Sequence, residues 1–223
     1  GSVMQAYSDS RDDWLYIEIT ELPAGWLGKT HAMQVVGEQA TGDLVVFTDG
    51  DLVFSQDALA QAADIAAKNS LDHLVLAPRA RGRGPLMAAM QAYFLIVLMG
   101  RTRIDRVGRD ADCSIGIGAF NLVRRTAYRG AGGHDRLRLE VIDDLMLGRV
   151  LARDGARQGV AGGVDLIGLD WYPSAWAMVR GLEKNIFAAL RYSTVAAVLS
   201  VARTLLVHVL PYVAAVFVAG PAR

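Results

Sequence analysis

The chain has 223 residues, enough for one substantial core with appendages. Lys plus Arg and Asp plus Glu both total 23, and this balance argues against a nucleic-acid binder that relies on bulk positive charge. The single cysteine, Cys113, excludes an internal disulfide and fits a reducing compartment.

Taken in order, "WLYIEI" (Trp14–Ile19) predicts a strand from its apolar and β-branched content. "LPAGWLGK" reads as a loop and "THAMQVVGEQATG" as a helix closed by Gly42. "DLVVFTD" is an apolar strand, followed by a helix over "SQDALAQAADIAAKN" with Ser55 as its cap. "LDHLVLAPR" is a further strand. Strand, helix, strand, helix, strand predicts an α/β fold whose sheet is at least partly parallel. After a polar loop, "SIGIGAFNLVRRTAYRGAGG" gives a strand and a short helix, and "EVIDDLMLGRVLARDG" a helix with acids first and arginines last, as the helix dipole favours.

Two apolar runs stand out. Leu86–Gly100 carries no charge, and Thr204–Gly220 has no Asp, Glu, Lys or Arg and a single histidine, His208. Neither reaches the ~20 apolar residues that span a bilayer. Arg79, Arg81 and Arg83 precede the first run, and Arg101, Arg103, Arg106 and Arg109 follow it. Such flanks suit an interfacial helix with guanidinium groups on lipid phosphates, although a buried core helix shares the same composition. The second run, interrupted by Pro211, reads as the start of a membrane segment or as a docked amphipathic end.

Asp49 and Asp51 follow an apolar strand in "VVFTDGDLVFS". One reading is a turn that ends the strand with local side-chain hydrogen bonds. The other uses geometry: in extended chain residues i and i+2 share a side, so both carboxylates would converge beyond the strand's carboxyl end. There two hard oxygen donors suit Mg2+ or Mn2+ with phosphates completing the shell. Asp143 and Asp144 open a helix, either as complements to its dipole or as a general base. "GIGAFN" has Asn121 where a dinucleotide fingerprint needs a third glycine, and the four histidines have no zinc spacing.

The series "LPAGWLGKTHA", "FTDGD", "GAFNLVRRTAY", "GGH", "VIDDL" and "RGLEKNIFAAL" resembles glycosyltransferase family 2, from about Trp14 to about Leu190. More narrowly it is similar to the branch acting on terpenoid lipids, the hopanoid-associated and carotenoid (diaponeurosporenoate) glycosyltransferases. The resemblance implies a GT-A-like fold, Rossmann-like, with a mostly parallel central sheet, helices on both faces and apolar interfacial or membrane-associated helices. It implies a UDP- or GDP-linked sugar donor, a lipid acceptor, Mg2+ or Mn2+, a membrane surface as partner, no nucleic acid, and the cytoplasmic face of the cell membrane. Residue by residue, Asp51 would ligand the metal with Asp49 near the nucleotide's ribose, and Asp144 would be the catalytic base. Asp143 stands where the family usually has Glu. Lys29 would reach donor phosphate or base, and Gly118, Ala119 and Phe120 would line the sugar and acceptor pocket. His134 is a candidate donor or acceptor contact. Trp176, Arg180 and Lys184, spaced by four, would present one helical face to diphosphate or headgroups. A solvated lysine, a Gly-rich strand entry, a loop histidine and a solvated helix face are the respective plain alternatives.

The family's opening strand and acidic base-gripping loop have no counterpart here, so the chain reads as an internal fragment. The expected division is a catalytic core over residues 1–185 and a hydrophobic membrane-associated segment over 186–223. The rival reading is a non-catalytic membrane-docking scaffold with an incomplete glycosyltransferase fold.

Overall fold

The computed structural model describes residues 2–11, 13–110 and 112–218. They fall into two compact units, Gly1–Met178 and Val179–Arg223, divided inside a helix and a little before the expected boundary.

The first unit runs α1 (Ser2–Asp9), α2 (Gly28–Gln39), β1 (Leu44–Phe47), β2 (Leu52–Phe54), α3 (Ala58–Lys68), β3 (His73–Arg81), α4 (Pro85–Thr102), β4 (Asn121–Arg124), α5 (Arg125–Gly130), α6 (Asp143–Arg153), β5 (Gln158–Asp170) and the start of α7 (Ala175–Ala189). One sheet has the order β1-β4-β3-β5-β2. Only β3 and β5 pair in parallel; β1–β4, β3–β4 and β2–β5 are antiparallel. The expected mostly parallel sheet is therefore a mixed one. Sequence order had suggested parallel crossovers, but β4 inserts between β1 and β3 against the direction of both.

Adjacent residues of β4 point to opposite faces and build two cores. Val123 joins Phe47, Tyr128, Leu147 and Leu151 beneath α5 and α6, whereas Leu122 joins Leu74, Phe120, Ala62 and Ala66 beneath α3. Helices thus cover both faces.

β1 and β2 occupy opposite edges, yet only residues 48–51 join them. A flat sheet would hold those edges about 19 Å apart across four strand spacings and further still along the strands. The five steps from Phe47 to Leu52 reach at most about 18 Å. The sheet must curl, and "TDGD" lies across the seam.

Trp14–Ile19 forms no strand. Leu15 is 71% exposed and no strand lies beside the segment among the described residues, so β propensity finds no partner.

In the second unit α7 continues to Ala189 and α8 spans Thr194–Thr204. A wide π-type turn, Leu205–Val209, then leads into α9 (Leu210–Val218). Pro211 accounts for the wide turn, since its ring would clash with the carbonyl four residues back. The apolar helix thus begins at Thr194, and Thr194–Ala215 is long and apolar enough to cross a membrane by length and composition. The expected run from Thr204 was too short because it missed α8. The end of that run, residues 219 and 220, lies outside the described residues.

Candidate active site

The site starts from α2. The Leu27 N–H donates to the Arg138 carbonyl at 2.8 Å. Thr30 Oγ1 donates toward the same carbonyl at 2.8 Å and that of Leu27 at 3.0 Å. The Arg138 guanidinium lies 5.0 Å from the Trp26 ring centre, and Trp26 meets His31 edge-on. These contacts clamp the first turn of α2 and aim Lys29. Its ammonium lies 3.1 Å from Asp49 Oδ1 and 3.3 Å from Asp143 Oδ1.

A second clamp holds the acids. The Gly118 N–H donates to Asp144 Oδ2 at 2.7 Å, and the Asp49 N–H donates to the Gly118 carbonyl at 2.9 Å. Thr48 Oγ1 donates to the Ala119 carbonyl at 2.9 Å. A Cβ on Gly118 would lie 2.5 Å from Asp49 Oδ2 and 3.4 Å from Asp144 Oδ2, so any other residue here would push the Asp49 carboxylate aside. Helix α6 comes equally close, with Gly148 against the Ile115 carbonyl and Gly116 against that of Asp144.

Burial pushes the Asp144 carboxyl above its ordinary value, and neighbouring Asp143 adds to this; N–H bonds from Leu145 and Gly118 oppose it. Burial also raises Asp143, against the pull of Lys29. For Lys29, burial favours the neutral amine, but Asp143, Asp49 and Asp144 outweigh it and hold the ammonium above its usual value. Three carboxylates against one ammonium leave the cluster net negative.

The sequence-predicted residues part company here. Lys29, Asp49, Asp143, Asp144 and Gly118 come together. Asp51 does not share their partners: β1 ends at Phe47 and a turn at Gly50 and Asp51 follows, so the strand does not run on through residues 49–51. The same-side argument fails for that reason. Asp51 is exposed, and its charge, after burial, raises the Tyr172 phenol. Phe120 is fully buried in the α3-side core and its side chain cannot line a pocket; Ala119 is buried too. His134 is no surface contact for donor or acceptor. Its Nδ1 bonds the Tyr128 hydroxyl at 2.8 Å, its ring packs on Phe47, and burial followed by the Lys29 charge lowers its pKa to about 4. Trp176 is exposed in the first unit, and Arg180 and Lys184 are exposed in the second.

Sequence reasoning missed a buried polar chain behind the site. Gln158 Nε2 donates to His73 Nδ1 at 2.9 Å, leaving His73 Nε2–H to donate to Asn121 Oδ1 at 3.1 Å. Asn121 Nδ2 donates to the Ile117 carbonyl at 2.6 Å, fixing the residue before Gly118. Burial, against the Asn121 bond, lowers His73 to about 4, so its ring is neutral. Polar side chains inside apolar strands were the available signal.

No curated protein matches the chain. A mannosyltransferase of Pyrobaculum calidifontis, solved in complex with GDP-Man and Mn2+, is similar in fold with a TM-score of 0.56 at 18% identity. The alignment covers 98% of this chain and 66% of that one, so the chain spans less than two thirds of its relative. Residues 17–164, well over half of the chain and including every acid of the site, match the family model described as glycosyltransferase like family 2. The chain belongs to that family, on a GT-A-like α/β fold.

Proposed function

We propose that this chain is the catalytic core of a metal-dependent inverting glycosyltransferase that moves a sugar from a nucleoside diphosphate to a terpenoid-type lipid at a membrane surface. The observation that carries the reading is the meeting of Asp49 and Asp144 at Gly118, with Lys29 bridging Asp49 to Asp143. The similar mannosyltransferase, bound to GDP-Man and Mn2+, supports a nucleotide-sugar donor with a divalent cation.

The donor set fits such an ion. No cluster of three or more His, Cys, Asp or Glu side chains capable of holding a metal occurs among the described residues. Mg2+ and Mn2+ need only one or two carboxylates when phosphates supply the rest. Asp51, exposed and without an ion pair among the described residues, would hold the cation, with Asp49 behind it. When bound, the cation neutralises charge on the diphosphate leaving group. Lys29 adds positive charge on the donor side and keeps Asp49 and Asp143 from repelling phosphate.

Asp144 takes the proton of the acceptor hydroxyl as the new bond forms, the role for which a raised carboxyl is suited. Its two N–H bonds fix its orientation toward an acceptor attacking opposite the leaving group. A carboxylic acid acceptor would already be ionised and would depend little on Asp144.

Calorimetric titration of GDP, then UDP, with and without Mn2+, tests the donor site. The expected result is Mn2+-dependent binding of one nucleotide, weakened at least tenfold in Asp51→Ala. Binding unchanged by Mn2+ or by Asp51→Ala would overturn this account of the metal.

A further inference from the structure

Helix α4 is built inside out. A water-soluble helix buries its apolar stripe and shows its polar one. In α4 the buried residues are Met87 at 3%, Gln91 at 7% and Thr102 at 9% exposed, so two of the three are polar, whereas Leu86 is 65% and Ile96 68% exposed. Val97, on the same side of the helix as Leu86 and Ile96, is also exposed. The polar groups are satisfied inside: Gln91 Nε2 donates to the Arg81 carbonyl at 3.3 Å, and Thr102 Oγ1 to that of Leu98 at 2.8 Å. Polar-in and apolar-out is the order expected where the surroundings are hydrocarbon.

The ends of the helix name the surroundings more closely. Arg81, Arg83, Arg101, Arg103 and Arg109 are exposed and make no ion pair among the described residues. An apolar face ending in unpaired arginines complements acyl chains bordered by anionic phosphates.

Length and connection decide how the helix sits. Pro85–Thr102 is long and apolar enough to cross a membrane by length and composition, but its uncharged stretch Leu86–Gly100 advances about 22 Å, short of the ~30 Å hydrocarbon core. Both ends also return to one sheet. Gln91 bonds to the end of β3, and Gly108, past the other end, packs against the Gln158 carbonyl at the start of β5. A crossing helix would leave its ends on opposite sides of the bilayer.

We infer that α4 docks the protein on an anionic phospholipid bilayer, lying in the plane of the interface with Leu86, Ile96 and Val97, which share one side of the helix, in the acyl boundary and its flanking arginines on lipid phosphates. This goes beyond sugar transfer and stands without it, because the test needs neither nucleotide nor acceptor.

The experiment uses the full chain with nitroxide labels at Leu86→Cys or Ile96→Cys, both exposed sites, while Cys113 is buried. Leu59→Cys on α3 serves as the control. In phosphatidylglycerol vesicles, both α4 labels should sit at similar shallow depths of about 5–10 Å, and the control should stay in water. Replacing Arg101 and Arg103 by Gln should lower the preference for phosphatidylglycerol over phosphatidylcholine vesicles about 25-fold, at roughly fivefold per arginine. Unequal depths reaching the bilayer centre would mean a crossing helix and overturn the in-plane seating. Labels that stay in water while the chain pellets with vesicles, or that broaden each other in a dimer, would overturn docking through α4.

Discussion

Lys29 carries more of the site than any acid does. Its ammonium is the cation placed between Asp49 and the buried Asp143, and 44% of its side chain remains open to water. Removing it leaves Asp143 charged, buried and unpaired, a change that costs several kcal/mol at a closed site and less here because of that opening. We expect Lys29→Met to lose about 1–2 kcal/mol of stability at pH 8. The sign of its pH dependence follows from Asp143. A carboxyl raised in the folded state destabilises it only where the group is ionised, so the deficit grows as pH rises above the unfolded value of about 4. Urea unfolding at pH 5 and pH 8 should show the smaller deficit at pH 5, and Lys29→Met/Asp143→Asn should be nearly level across the two. Equal deficits would mean that Lys29 acts by packing alone. At this scale the sequence was informative about which residues would matter, since acids at a strand end and at a helix start carry a spacing that can be read. It was silent on the Gly118 N–H bond to Asp144, because a backbone donor leaves no mark in composition. It expected Asp49 and Asp51 to share one side of an extended strand, whereas the strand stops at Phe47, before either acid.

Among the elements, α2, α3, α4 and α6 were legible, each having a long apolar pattern with a recognisable start or end. β5 was not. Its "GVAGGVDLIG" is rich in glycine and interrupted by Asp165, a composition poor in intrinsic strand preference. It is a strand because β3 lies alongside it over nearly its whole length, with a register shift between Pro78 and Arg79. Pairing between segments far apart in the chain decides such an element, and local pattern does not contain it. The same holds for the clamp on α2, where a helix start is fixed by a carbonyl 108 residues away. Thr30 is buried, and its hydroxyl is shared between the Arg138 and Leu27 carbonyls. Thr30→Val keeps shape and removes the donor, so we expect a loss of about 1–2 kcal/mol in thermal or urea unfolding. If the clamp also aims Lys29, nucleotide affinity should fall beyond what the small unfolded fraction explains. A variant that is destabilised but binds normally would leave the clamp a purely structural device.

Across the whole molecule the two units differ in how much apolar surface they bury. The first has a two-sided core and a site at the seam of a curled sheet. In the second, the helix from Thr194 to Ala215 has none of its length buried, and Val198, Leu199 and Leu206 are each more than 60% exposed. Burying one such side chain is favourable by about 1.5–3 kcal/mol, so a helix presenting many of them will find some apolar surface. In plain buffer the surface on offer is another copy of the chain. Light scattering on a sizing column should therefore show heterogeneous high-mass species without detergent, and one protein copy per micelle in a mild non-ionic detergent. Val198→Glu, Leu199→Glu and Leu206→Glu together should shift the protein in plain buffer toward the monomer while leaving the unfolding of the first unit unchanged. That unit owes its cores to residues upstream of α8. A wild-type chain that is monodisperse and monomeric without detergent would show that the exposed helix has found its cover within its own molecule.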